Sequence, residues 1–150
     1  GPAITEFGHT VTPMAADGGI DFLKITNEQI AFRPDSVEFA DEAAASTVLN
    51  ELAEQLKDTS THYIVAGSTA HVDNASREGA QALSLARAQA VRSVLAEAGV
   101  PADQIICLGL GNEQTSVRSA NEADNRCVYV VSSDNSALAA ELLSVGQAES

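Results

Sequence analysis

Residues 78–99 read EGAQALSLARAQAVRSVLAEAG, and this stretch decides the fold. Leu83, Ala86, Ala90, Val94 and Ala98 recur three or four residues apart, the spacing that stacks side chains along one face of an α-helix, so a long helix is predicted from Glu78 to Ala98. Gly99 supplies the residue that tolerates a left-handed backbone at a helix C-terminus, and Pro101 prevents the helix from continuing. Upstream, the β-branched and aromatic run from His62 to Ala66, closed by Gly67, reads as a buried strand, followed by a polar loop to about Arg77. Downstream, Gln104 to Leu110 and Arg126 to Val131 read as two strands joined by a connection rich in Gly, Asn and Ser.

Further out on the N-terminal side, Ala44, Val48, Leu49, Leu52 and Leu56 fall on one helical face while Glu42, Glu51, Glu54 and Lys57 fall elsewhere, which predicts a first long helix between Asp41 and Leu56. Ile20 to Ile25 and Gln29 to Phe32 are two short apolar stretches separated by Thr26-Asn27-Glu28, a pattern that suits a strand or hairpin ended by Pro34-Asp35-Ser36. Residues 1–19 read as a loosely held lead-in, with room for one short strand, and Gly1-Pro2 has the form of a protease scar left by a removed tag. Ser133-Asp134-Asn135-Ser136 is suited to cap a short helix through Leu143. The order β-α-β-α-β-β predicts an α+β two-layer sandwich, with both long helices on one face of a mixed four-stranded sheet. One folded unit is expected over residues 20–145, with 146–150 as a frayed tail. A chain of 150 residues has room for a single domain.

Composition narrows the partners. The hydrophobic fraction is 45% but aromatics supply only 4% and Trp is absent, so the core must be built from Ala, Val, Leu and Ile, as suits helices packed on a sheet. Acidic residues outnumber basic ones 21 to 8, and the net charge of -13 repels phosphate backbones and anionic membrane surfaces. Nucleic acid is therefore not an expected partner, whereas an anionic ligand that meets a local cluster of arginines is still allowed. Cys107 and Cys127 lack zinc or redox spacing and sit in apolar strands, which points to buried thiols. No apolar run approaches the ~20 residues that span a bilayer.

Enzyme readings find little purchase. His9, His62 and His71 have no fixed spacing to a Cys, Asp or second His that signals a nucleophile-base pair or a metal set, and His71-Val72-Asp73 offers only two candidate ligands on one loop. Gly109-Leu110-Gly111 lacks the third glycine of a dinucleotide loop, and the residues after it do not read as a helix. No cofactor and no metal are expected. Asn74-Ala75-Ser76 fits a glycosylation sequon.

Read in order, Leu83-Ser84-Leu85-Ala86-Arg87-Ala88-Gln89-Ala90-Val91, then Leu95, Gly99-Val100, Ile105-Ile106, Gly109-Leu110-Gly111 and Asn125-Arg126-Cys127-Val128 resemble the OmpA-like domain that is shared with MotB-type proteins. The resemblance spans roughly residues 29 to 132. It implies an extracytoplasmic cell-envelope domain that binds the peptide stem of peptidoglycan without covalent bonds or turnover, and so anchors an attached protein to the wall. It further implies that Arg87 pairs the carboxylate of a diaminopimelate-type residue, a task for which a planar, permanently charged guanidinium is suited. The other reading of Arg87 is a helix arginine satisfied by local acids or solvent.

Where the family has Gly-His-Thr-Asp after the second strand, this chain has Gly67-Ser68-Thr69-Ala70, so Thr69 is kept and the aspartate that pairs the ligand's amino group is absent. A desolvated amino group needs a fixed acceptor that an alanine methyl cannot provide. Ala80 stands where the family has Asn. Asp73, in a loop about two residues longer than the family's, is the candidate replacement acceptor, with a plain polar turn at Asp73-Asn74 as its alternative. The Gly-x-Thr-Ala loop is similar to that of OmpA-like domains from Gram-positive-type bacteria, which implies a branch that grips a different stem. At the last motif Asn125-Arg126 is kept while the second arginine is Cys127; Arg126 either supports Arg87, with Arg118 as a further nearby charge, or is a solvated edge charge. Asn125 is suited to orient its loop through side-chain hydrogen bonds to the backbone. The ligand set implied is thus Arg87, Arg126, Asp73, Asn125 and Thr69. Ala70, Ala80 and Cys127 keep open a second reading, a scaffold that has lost its ligand and serves as a structural or protein-interaction unit.

Overall fold

A computed structural model describes residues 4–7, 10–13, 20–57, 60–70 and 76–149. Strands β1 (Ile4–Phe7) and β2 (Thr10–Pro13) pair antiparallel, so the lead-in holds two strands rather than one. Next come β3 (Phe22–Thr26), α1 (Glu42–Leu56), β4 (Tyr63–Ser68), α2 (Arg77–Glu97), β5 (Ile105–Gly111), β6 (Cys127–Ser132), α3 (Ser136–Val145) and the two-residue β7 (Gln147–Ala148). The mixed sheet runs β3-β6-β4-β5-β7; β4 and β5 are parallel and the other neighbours antiparallel.

The α+β layering follows the sequence expectation, with a fifth strand drawn from what reads as a frayed tail. Glu149 shows why that segment is held: Arg92 grips its carboxylate through two bonds of 2.6 and 2.7 Å, and Gln89 donates a third at 2.8 Å. Of the strand or hairpin expected from Ile20 to Phe32, the strand forms as β3, and Gln29–Phe32 adds no second strand to it. Gln29 turns back on the end of β3, its Oε1 accepting from Thr26 N–H at 2.9 Å, and Phe32 instead bridges Phe39 across a small loop.

Helix ends are set locally. Asp41 Oδ1 accepts from Ala44 N–H and Ser76 Oγ from Gly79 N–H, each at 3.0 Å, satisfying amides that have no partner within their helices. α2 ends as expected at Gly99, which has φ of 110°; Gly99 N–H donates to Ala96 C=O and Val100 N–H to Leu95 C=O, the paired bonds of a Schellman motif.

Alternation along the strands splits the core in two. Tyr63, Val65, Ile105, Cys107, Val128 and Val130 face α1 and α2, while Ile64, Ala66, Leu108, Tyr129 and Val131 face α3 through Ala139 and Leu142. The buried stripe of α1 keeps Leu49, Leu52 and Leu56 from the expected face, whereas that of α2 is rotated from the expected one. In α1 it is Ala45, Leu49, Leu52, Ala53 and Leu56; in α2 it is Ala80, Ser84, Ala88, Val91 and Leu95. The cause in α2 is a backbone approach that only small residues permit. A β-carbon at Gly67 would stand 2.2 Å from the Ser84 carbonyl oxygen, and one at Gly109 would stand 2.1 Å from that of Gln81. Buried Ser84 then donates to Gln81 C=O at 3.0 Å and accepts from Gly111 N–H at 2.9 Å, joining helix to strand.

Gly109→Ala is expected to lower the unfolding free energy by about 3 kcal/mol, since the methyl meets helix backbone that cannot rotate away. Urea titration checks this, and a midpoint within error of the parent protein's contradicts the contact.

Candidate functional site

The N-terminal half of α2, the C-terminal end of β4 and the loop after β3 enclose a cleft of about 600 Å³. Arg87, Arg126 and Thr69 all line it, together with Asn27, Phe32, Pro34, Asp35, Gly79, Ala80 and Leu83. Three of the residues singled out from sequence therefore share one surface although they come from a helix, a strand start and a strand end. A narrow recess beside it, lined by Arg87, Arg126, Gly67 and Ser68, continues toward the sheet.

Arg87 is held by backbone rather than by an acid in its described contacts. Its Nε donates to Ser36 C=O at 2.9 Å and its Nη2 to Arg33 C=O at 3.1 Å, while its guanidinium carbon lies 4.9 Å from the centroid of the Phe32 ring. Phe32 is itself stacked on Phe39 with centroids 4.9 Å apart. Carbonyl and ring partners fix the orientation of the guanidinium. The loop from Phe32 to Phe39 is thus the wall that orients Arg87, a partner that helical spacing could not reveal.

Thr69 is 1% exposed, and its Oγ has no hydrogen-bond partner among the described residues. Its backbone N–H donates to Gly111 C=O at 2.8 Å, just past the irregularity where β4 and β5 shift register. A buried hydroxyl without a partner costs stability unless something else meets it. Ala70 and Ala80 are both buried, so the positions where a carboxylate and an amide are missing are filled by methyl groups packed inward.

Asn125 is not among the cleft-lining residues. It is fully buried; its Oδ1 accepts from Ser119 N–H at 2.7 Å, and its Nδ2 donates to Ser119 C=O at 2.9 Å. Its amide therefore ties down the loop that ends in Arg126. Arg118 also turns away from the cleft: its side chain is 3% exposed, pairs Glu122 at 2.8 Å and acts electrostatically on Cys127 and Tyr129. Asp73, in the stretch 71–75, lies outside the described residues, as does His71. Asp35, which reads in sequence as part of a terminating turn, is the carboxylate found among the cleft's lining.

The chain belongs to the OmpA family, whose model matches residues 31–127. Among solved structures, the periplasmic domain of Helicobacter pylori MotB (residues 78–256) is similar with a TM-score of 0.63 at 17% identity, covering 86% of this chain and 86% of that one. The peptidoglycan-associated lipoprotein of Burkholderia pseudomallei has a TM-score of 0.57 at 27% identity, over 73% of this chain and 88% of its own. A structure described as the cell wall anchor of the type VI secretion system from Pseudomonas aeruginosa has a TM-score of 0.57 at 24% identity, over 77% and 84%. No curated protein sequence matches the chain. The family and the α+β fold expected from the motifs both hold, and with them an extracytoplasmic location.

Cys127, in the place of the family's second arginine, is buried on the α3 side of the sheet, while Cys107 is buried on the helix side, so the sheet separates the two thiols. Burial pushes Cys107 up to about 11 against the opposing pull of nearby Arg92, and raises Cys127 against that of the Tyr129 hydroxyl and, more weakly, Lys24 and Arg118. Raised values leave both groups as neutral thiols at neutral pH, where the thiolate is the reactive form. At about pH 8 the native protein is expected to resist a thiol-specific disulfide reagent and to react at both cysteines once unfolded in urea; prompt reaction of the native protein contradicts this burial.

Proposed function

We propose that residues 20–145 form a noncovalent peptidoglycan-binding module that tethers an attached protein or membrane anchor to the cell wall. The single observation that carries this reading is the convergence of Arg87 and Arg126 on one cleft in a chain whose net charge is -13. Such a local positive site in an acidic molecule selects a small anion that can enter the cleft over an extended polyanion that must also approach the surface. The stem-peptide carboxylate has the right chemistry: a guanidinium engages it through directional charge-assisted bonds, and the buried Thr69 hydroxyl offers a further donor or acceptor at the same wall. Asn125 serves this site at one remove, by fixing the loop that delivers Arg126.

The names of similar proteins support the reading: one is a peptidoglycan-associated lipoprotein and another a cell wall anchor. Binding of this kind involves no turnover, and none of the cleft residues forms a nucleophile-base pair.

The test is sedimentation with insoluble peptidoglycan from diaminopimelate-type and lysine-type walls. The protein is expected to pellet with the wall whose stem it grips, and Arg87→Ala and Arg126→Ala each to weaken that retention by about 1.5–3 kcal/mol, the worth of a hydrogen bond to a charged group. Retention by neither wall favours the second reading from sequence, a scaffold whose methyl groups at Ala70 and Ala80 mark a lost ligand. Retention untouched by either substitution removes the arginines from the site.

A further inference from the structure

The smaller core, between the sheet and α3, ends in an open groove of about 270 Å³, and we infer that this groove receives a basic amphipathic helix of a partner protein. Ile64, Ile106, Ala140 and Leu143 line it, with Ser133 and Ser136 among its polar lining. Ile106 and Leu143 are 42% and 47% exposed, and they are two of the three large apolar side chains left exposed among the described residues. Exposed apolar groups that converge on one surface mark an interaction site more often than isolated ones do. The groove lies at the starts of β4 and β5 and shares no residue with the arginine cleft, which is built at the other end of β4.

The fold leaves this surface open for a local reason. Ile106 pairs in register with buried Ile64, so strand alternation turns it to the α3 side, and it is the one exposed residue of β5. Helix α3 seats on the sheet through Ala139 and Leu142, while Ala140 and Leu143 line the groove without closing it. β7 reaches only Leu108 and Gly109. The neighbouring N–H groups of the β5 edge are already engaged, that of Ile105 by Ala102 C=O and that of Cys107 by the Glu149 carboxylate. An added strand therefore finds little to pair with, and a partner must engage through side chains, as a helix laid in a groove does. The volume also falls below the roughly 300–1,000 Å³ of small-molecule sites.

Charge selects the helix. None of the chain's 8 Lys and Arg residues lines the groove. Two exposed acids flank it in the chain: Asp134 stands between the lining residues Ser133 and Ser136, and Asp103 stands three residues before Ile106. Neither forms an ion pair with a described residue. A second copy of the chain would bring the same acids and a net charge of -13 against its own, and an anionic lipid surface is repelled in the same way. A helix with apolar residues on one face and lysine or arginine on its flanks satisfies both features, since the apolar face enters the groove while the basic flanks meet the acidic surroundings.

The test titrates the whole chain, ¹⁵N-labelled, with a synthetic helical peptide carrying leucines on one face and lysines on the other, and with the same peptide in which glutamates replace the lysines. The lysine peptide is expected to shift the amides of Ile106, Ala140 and Leu143 while those of Thr69 and Arg87 stay in place, and the glutamate peptide to bind at least about tenfold more weakly. Ile106→Ser combined with Leu143→Ser, both at exposed positions that folding tolerates, is expected to weaken the lysine peptide by about tenfold or more. Asp103→Asn with Asp134→Asn is expected to weaken it as well and to flatten its salt dependence. No binding of the lysine peptide, shifts centred away from the groove, equal binding of the two peptides, or an affinity untouched by the serine pair overturns the inference. Self-association of the parent protein in sedimentation equilibrium that the serine pair abolishes also overturns it, by giving the groove to a second copy of the chain.

Discussion

The distance between α2 and the sheet governs this molecule. At Gly67 and Gly109 the helix backbone lies where any side chain would collide with a carbonyl oxygen, and Ser84 fills the seam with one hydrogen bond to each side. Because β4 and β5 are parallel neighbours, one helix seated on both also fixes their relative height. Arg87 stands one turn beyond Ser84, so the same seating that brings the small residues onto the strands carries the guanidinium to the end of β4, against Thr69. A helix lifted by the usual bulk of leucine would set that charge elsewhere.

The cleft depends on a second constraint, the loop between β3 and α1. Stacked Phe32 and Phe39 close its base, and its carbonyls fix Arg87 at 2.9 and 3.1 Å. Backbone acceptors suit a binding site better than a carboxylate would. They orient the guanidinium without bringing a full charge of their own. Elsewhere, Lys57, Arg77, Arg92 and Arg118 are each engaged by a glutamate away from the cleft. The positive field of the site is therefore local within an acidic molecule.

The elements themselves were legible in sequence because their signals are local: the Gly99 stop, the β-branched run into Gly67, and the periodic apolar residues of both long helices. The face that α2 buries was not, because apolar spacing ranks leucine above alanine while the glycines opposite α2 demand the reverse. Ala80, Ser84 and Ala88 became the inner stripe for steric reasons that only the packed sheet supplies. The arginines of the site were legible through an ordered motif. The place of Asp35 in the cleft lining was not, since Pro34-Asp35-Ser36 reads in sequence as an ordinary terminating turn. Asn125 illustrates the converse: a polar motif residue whose buried amide serves the loop rather than the cleft.

The most direct test of this account follows the amides and the Arg87 Nε–H of ¹⁵N-labelled protein by NMR while a soluble stem peptide of peptidoglycan is added. The account predicts that the largest shifts fall on Thr69, Arg87 and the turn from Arg33 to Ser36, with Ala139 and Leu142 of α3 unmoved. Shifts centred on the α3 face, or none at saturating peptide, would contradict it.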